Sequence, residues 1–213
     1  MDFLDTEIQR YSDAHCSPEG ELLHRIERET HLEVMRPRML SGPMQGRVLS
    51  MFSAMIKPQC ILEIGTFTGY SALCLAEGLA EGGRLITMDI DEELEDRVRG
   101  YFSESKYGDQ IDYRIGKGLD IIPQLEESFD LVFIDADKVN YRQYYELLIP
   151  KMNKGGIIIA DNVLWSGKVV EEVKDNDLAT KALLDFNDFV QKDDRVENVL
   201  MPLRDGLMIA RVL

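Results

Sequence analysis

At 213 residues the chain is long enough for one domain with a full hydrophobic core. Its 39 acidic residues against 24 basic ones give a formal charge of −15, which sets it against nucleic-acid phosphates and anionic lipid surfaces. No apolar run is long enough to span a bilayer, and the acidic start MDFLDTE lacks the basic and apolar regions of a secretory signal.

Residues 2–16 and 19–34 read as two amphipathic helices, the second with Leu22, Leu23 and Ile26 on one face. Pro37 interrupts the pattern. A third helix starts after Ser41 and Pro43 and runs to about residue 56, where Lys57 and Pro58 end it. Residues 1–57 are therefore expected to form a helical cap on a core of residues 58–213, within a single domain. From residue 60 onward strands and helices alternate. Strands are expected at 60–64, 84–88, 111–114, 129–134, 156–160, 196–202 and 207–212. Helices are expected at 69–80, 91–105, 118–126, 139–149 and 175–192. Runs such as 131–134 and 157–160 are apolar throughout, as strands covered by helices on both faces should be. The turn at Arg204, Asp205 and Gly206 is too short for anything but an antiparallel hairpin. The expected fold is α/β: a doubly wound, Rossmann-like sheet of seven strands, mostly parallel with one antiparallel strand.

Chemistry-bearing residues fall at the carboxyl ends of these strands, the edge where open α/β sheets bind ligands. In LEIGTFTGYS, residues 62–71, a strand delivers Glu63, a turn opens at Gly65, and a helix begins near Gly69. Glycines there let backbone approach a ligand closely. The next strand runs into Asp89, placed to accept the hydroxyls of a ribose. Further on, one strand ends in Asp135, Asp137 and Lys138, and another in Asp161 and Asn162. If those two strands are neighbours, their ends lie about 5 Å apart, and the carboxylates need a cation between them. Asp135, Asp161 and the Asn162 oxygen would supply three hard ligands and leave positions open, which suits Mg²⁺, with Mn²⁺ or Ca²⁺ as substitutes. Helix capping is the competing explanation, and it suffices for Asp137.

The remaining polar and sulfur-bearing residues carry less. Cys16, Cys60 and Cys74 are odd in number and form no C-x-x-C pair, so buried thiols in a reducing cytoplasm are expected. His15, His24 and His31 lack metal-ligand spacing and read as cap surface. Met35, Met39, Met44, Met51 and Met55 recur at helical spacing and read as core or interface filler.

In this order and spacing, LEIGTFTGYS, FIDADK and DNVLWSGKV resemble the cation-dependent O-methyltransferases that use S-adenosylmethionine. That group includes the caffeoyl-CoA and catechol enzymes and many small bacterial relatives. The resemblance covers nearly the whole chain, from Met39 to the turn at Asp205 and Gly206. It implies the class I methyltransferase fold, a homodimer, and a small hydroxylated aromatic substrate whose vicinal oxygens chelate the metal. It further implies that Glu63, Gly65, Phe67, Tyr70 and Ser71 surround the methionine part of the cofactor, with Asp89 on the ribose and Gly118 near the adenine. Met39 and Ser41 match cap residues that close over the methionine portion and the substrate. Asp135, Asp161 and Asn162 match the metal ligands, Asp135 also reaching the cofactor's amino group. Lys138 matches a catalytic lysine, either a base or a charged stabiliser of the phenolate, and Trp165 a residue beside the substrate ring.

One departure bears on the branch. The mammalian catechol enzyme carries a carboxylate near the final turn, where this chain has Met201, Pro202, Leu203 and Arg204, which favours the caffeoyl-CoA-like bacterial branch. Two other classes share part of the pattern. An NAD-dependent oxidoreductase would share the glycine turn and Asp89, but it has no use for the acidic set and prefers G-x-G-x-x-G. A non-catalytic nucleoside-binding protein would not need Lys138.

Overall fold

The computed structural model describes residues 5–213, which divide into two compact units, one running to Lys117 and one from Gly118 to Leu213. The first residues of the helix expected at 2–16 lie outside the described stretch.

The first unit opens with α1 (Thr6–Ala14), whose first turn is capped by the Asp5 carboxylate on the Glu7 amide. α1 buries none of its side chains, whereas α2 (Glu21–Glu33) buries Leu23, Ile26 and Thr30. Pro37 acts as expected: it opens a 3₁₀ turn at Pro37–Met39 before α3 (Gly42–Ile56). After β1 (Cys60–Ile64) comes α4 (Tyr70–Ala76), every residue of which is buried. α3 packs against it through glycine. A Cβ on Gly46 would stand 2.7 Å from the Tyr70 ring, and one on Gly78 only 2.1 Å from the backbone of Ser53. That crowding explains why α4 stops at Ala76, short of the expected residue 80: the chain must slide past α3 at Gly78. β2 (Arg84–Asp89) and β3 (Ile111–Ile115) complete the unit in the order β3-β2-β1, all parallel, with Ile64 opposite Met88 and Asp89 opposite Ile115. The helix expected at 91–105 is a 3₁₀ turn at Glu92–Leu94 followed by α5 (Glu95–Glu104).

The second unit begins with a single turn, α6 (Gly118–Ile121), which passes into a 3₁₀ turn at Ile122–Gln124. Pro123, lacking an N–H, prevents the longer helix expected at 118–126. β4 (Phe129–Ile134), α7 (Tyr141–Leu148) and β5 (Met152–Asp161) follow. β5 starts four residues before its expected position because Met152 pairs with Phe129 across a register irregularity. α8 (Leu178–Lys192) starts at the Asp177 cap, and Phe186 on it stacks edge-on against Tyr141 and Tyr145 of α7. β6 (Val196–Met201) and β7 (Leu207–Val212) form the expected hairpin. β7 runs antiparallel to β5 and is the one reversed strand, in the order β4-β5-β7-β6. The seven strands thus make the mostly parallel, helix-flanked sheet the sequence predicts.

Cys60 and Cys74 are buried and Cys16 is half-buried, none of the three in a disulfide. The methionine series departs from a core role: Met35, Met51 and Met55 are 82%, 59% and 68% exposed. Among the described residues no helix is long and apolar enough to cross a membrane.

Candidate active site

In the first unit the carboxyl ends of β1 and β2 are joined by backbone. The amides of Gly65 and Thr66 both donate to the Met88 carbonyl, at 2.9 and 3.2 Å. Gly65 (φ 102°), Phe67 (φ 48°) and Gly69 (φ 81°) all lie in left-handed backbone. Glycine takes that conformation freely; Phe67 does so at a cost, which local contacts must offset. Here the Phe67 amide donates to Asp89 Oδ2 at 2.7 Å, and Asp91 donates to Oδ1 at 3.0 Å. The Asp89 carboxylate therefore holds the glycine turn open, and each of its oxygens keeps a further lone pair for a ligand hydroxyl. Glu63 is fully buried and accepts from the Thr87 hydroxyl at 2.5 Å, while Thr87 also meets the Thr66 hydroxyl at 2.6 Å. Ser71 is buried on the first turn of α4. The Tyr70 hydroxyl is committed to the Glu19 carboxylate, so Tyr70 offers a ligand its backbone rather than its side chain. In the cap, Met39 is half-exposed and Ser41 buried just before α3.

In the second unit the parallel register sets Ile134 opposite Ala160, so the residues that follow, Asp135 and Asp161, leave neighbouring strand ends. The adjacency on which the metal reading depended is therefore met. Lys138 Nζ lies 3.0 Å from Asp135 Oδ1 and also donates to the Tyr141 hydroxyl. Tyr141 in turn donates to the backbone carbonyl of Asp161 at 2.9 Å. Burial, with Asp135 and Asp161 close by, raises the Tyr141 hydroxyl well above its ordinary range, so it stays protonated and remains a donor. Asn162 sits in left-handed backbone (φ 59°), its amide bonded to Asp161 Oδ1 at 2.7 Å. Trp165 and Ser166 also have positive φ and are held by the final turn: Leu164 donates to the Asp205 carbonyl and Ser166 to its carboxylate. The Trp165 ring centroid lies 6.0 Å from Lys138 Nζ, and its buried indole N–H has no partner among the described residues. Gly118 is buried at the start of α6.

Asp137 stands at the N-cap position of the 3₁₀ turn Lys138–Asn140 but makes no capping bond to backbone; its carboxylate accepts instead from the Tyr144 hydroxyl and the Asn140 side-chain amide. Lys168, in the segment after Trp165, pairs with Asp177 at 3.0 Å. The Thr180 amide at the start of α8 and Lys168 hold that carboxyl down to about 2. Sequence reading passed over two residues of this edge. Tyr141 carried a signal, since three residues after Lys138 it shares the same side of a helical turn. Asp205 carried none, because its role depends on the β5–β7 pairing.

An O-methyltransferase family profile matches residues 13–213. Caffeoyl-CoA O-methyltransferase 1 of Eucalyptus globulus is 35% identical over 184 residues, covering 81% of this chain and 74% of the relative. A catechol O-methyltransferase of Niastella koreensis is 32% identical over 189 residues, covering 84% and 85%. Among solved structures, a Bacillus cereus O-methyltransferase in complex with SAH is similar at a TM-score of 0.90 and 29% identity, covering 98% of both chains. An O-methyltransferase of Streptomyces achromogenes involved in tomaymycin synthesis, solved with SAM, is similar at 0.88 and 26%, covering 97% and 96%.

Proposed function

The chain belongs to the O-methyltransferase family, and from that premise we propose that it methylates one hydroxyl of a vicinal dihydroxy-aromatic, using S-adenosylmethionine and a divalent cation. The nicotinamide and non-catalytic alternatives give way to the family. The observation that carries the metal reading is the β4–β5 register, which sends Asp135 and Asp161 out of adjacent strand ends with Asn162 beside them. Two carboxylates and an amide oxygen fit a hard cation, Mg²⁺ first and Mn²⁺ or Ca²⁺ as substitutes. Such a cation, when bound, supplies Lewis acidity that lowers the pKa of a coordinated phenol.

The chain's own residues do the rest. The Gly65–Gly69 turn presents backbone to the methionine part of the cofactor, Asp89 accepts the ribose hydroxyls, and Gly118 leaves room for the adenine. Asp135 reaches the cofactor's amino group, and Met39 and Ser41 close over the methionine portion. Methyl transfer breaks the sulfonium S–C bond with its electron pair going to sulfur, while a phenolate oxygen forms the new C–O bond. Lys138, with N–H groups committed to Asp135 and Tyr141, keeps one further N–H for that oxygen. The Trp165 ring walls the acceptor. The chain works as a single methyltransferase domain, residues 1–57 serving as its cap, in a reducing cytoplasm that keeps its three cysteines out of disulfides.

Three expected outcomes follow from this reading. A mass-spectrometric screen with S-adenosylmethionine and Mg²⁺ should find catechols or caffeoyl-CoA methylated and monophenols untouched, because only vicinal oxygens chelate. Methylation of monophenols but not catechols would sink the substrate class. Asp89→Ala should weaken S-adenosylmethionine binding by about 1–3 kcal/mol through lost charged hydrogen bonds. Turnover at saturating cofactor should change far less, and a collapsed kcat with unaltered affinity would refute the ribose role. The exposed Leu32, Met35, Met51 and Met55 of the α2–α3 region favour a homodimer. Light scattering at micromolar protein should give twice the chain mass, and a monomer mass would reject the dimer.

A further inference from the structure

The cap holds three ligand-type side chains that methyl transfer leaves unused. Glu19 lies just ahead of α2, and His24 and Glu27 stand three residues apart on it, on neighbouring turns. One donor atom from each lies within 4.8 Å of the others. His24 Nδ1 is 3.1 Å from Glu19 Oε1, while the other Glu19 oxygen accepts from the buried Tyr70 hydroxyl. This carboxylate is therefore fixed from behind, as metal-ligating carboxylates are.

The charge balance here differs from that of the adjoining helix surface. Glu29 pairs with Arg25 and Arg97, and Glu33 with Arg97. Among the described residues Glu19 has only His24 as an ion-pair partner, and Glu27 has no lysine or arginine. The imidazole is the nearest balancing group for two partly buried carboxylates side by side, and a divalent cation would balance them more fully. Beside them opens a cavity of about 260 Å³, lined by Asp13, Cys16, Glu19, His24 and Met44 among others.

We infer that Glu19, His24 and Glu27 form a second divalent-cation site in the cap, of the zinc class. Two carboxylate oxygens with an imidazole nitrogen suit Zn²⁺ and leave a fourth position for water from the cavity. An imidazole is a poor ligand for Mg²⁺, so this set differs in metal preference from the all-oxygen set at Asp135, Asp161 and Asn162. Ligation would tie the segment before α2 to the body of that helix. Through Glu19 and Tyr70 it would also brace the cap against the start of α4, beside the glycine turn.

Zinc titration of the full chain held in saturating Mg²⁺ tests the site. Wild type should take up one Zn²⁺ equivalent that Mg²⁺ does not displace. H24A and E27Q should bind it at least about tenfold more weakly, and D161N should bind it as wild type does. Co²⁺ substituted for Zn²⁺ should give the visible absorption of a four-coordinate ion in wild type and lose it in H24A. His24 is exposed and Glu27 half-buried, and matching circular dichroism of the metal-free variants would establish that they fold. Equal zinc binding by wild type and both variants would overturn the assignment. So would zinc binding that is lost in C16S and kept in H24A, since the metal would then sit on the thiol alone.

Discussion

Stripping divalent cations with EDTA is expected to abolish methyl transfer, and added Mg²⁺ to restore it. Asp135 and Asp161 leave adjacent parallel strand ends, where two carboxylate charges brought together favour positive charge between them. Lys138, 3.0 Å from Asp135, supplies part of that charge. The Asp161 carboxylate, almost fully buried, would lie too deep to be screened by solvent. Asp161→Ala should therefore lose metal and activity together. Lewis-acid stabilisation is worth several kcal/mol, so the rate should fall by about a hundredfold or more. S-adenosylmethionine should still bind, because the Gly65–Gly69 turn and Asp89 belong to β1 and β2 and are fastened by their own hydrogen bonds. Retained cofactor binding also guards against misfolding, since Asp161 Oδ1 secures the left-handed Asn162 backbone. Full activity of metal-stripped enzyme in EDTA would leave a cation-independent methyltransferase as the surviving mechanism.

Much of the fold was legible in the sequence, for identifiable reasons. Apolar runs that reach Glu63, Asp89, Asp135 and Asp161 mark the strands and their carboxyl ends, the edge where open α/β sheets bind ligands. What the pattern could not give was helix length. α4 and α6 are shorter than their apolar spacing suggests, one crowded by α3 at Gly78 and the other broken by Pro123. β5 is longer because pairing with Phe129 recruits Met152 and the polar Asn153 and Lys154, which no alternation marks as strand. The methionines of the cap illustrate the same limit. Their helical spacing places them on common faces, but it does not say whether protein or solvent covers those faces. Nor does spacing reveal that Glu19, outside the helix, comes within reach of His24 and Glu27.

Lys138→Ala is expected to lower kcat by about 10²–10⁴, the range for a positioned group that handles a proton or its charge. Cofactor affinity should barely change, since Lys138 belongs to the β4 end and not to the glycine turn. The harder question is whether the amine works as a neutral base or as a fixed positive charge, and the contacts favour the charge. Two of its N–H groups are spent on Asp135 and on Tyr141, which is itself anchored to the Asp161 carbonyl. A side chain held this way, with little solvent exposure, is oriented to donate. Lys138→Arg separates the two roles, because guanidinium stays charged at any working pH but cannot accept the proton. If charge is what matters, the arginine variant should recover a measurable part of the loss seen with alanine, and its rate should keep the pH dependence of wild type. Tyr141→Phe should then cost less than either, because it removes an orienting hydroxyl and leaves the ammonium paired with Asp135. An arginine variant as inactive as alanine, with tyrosine replacement harmless, would return Lys138 to the role of base.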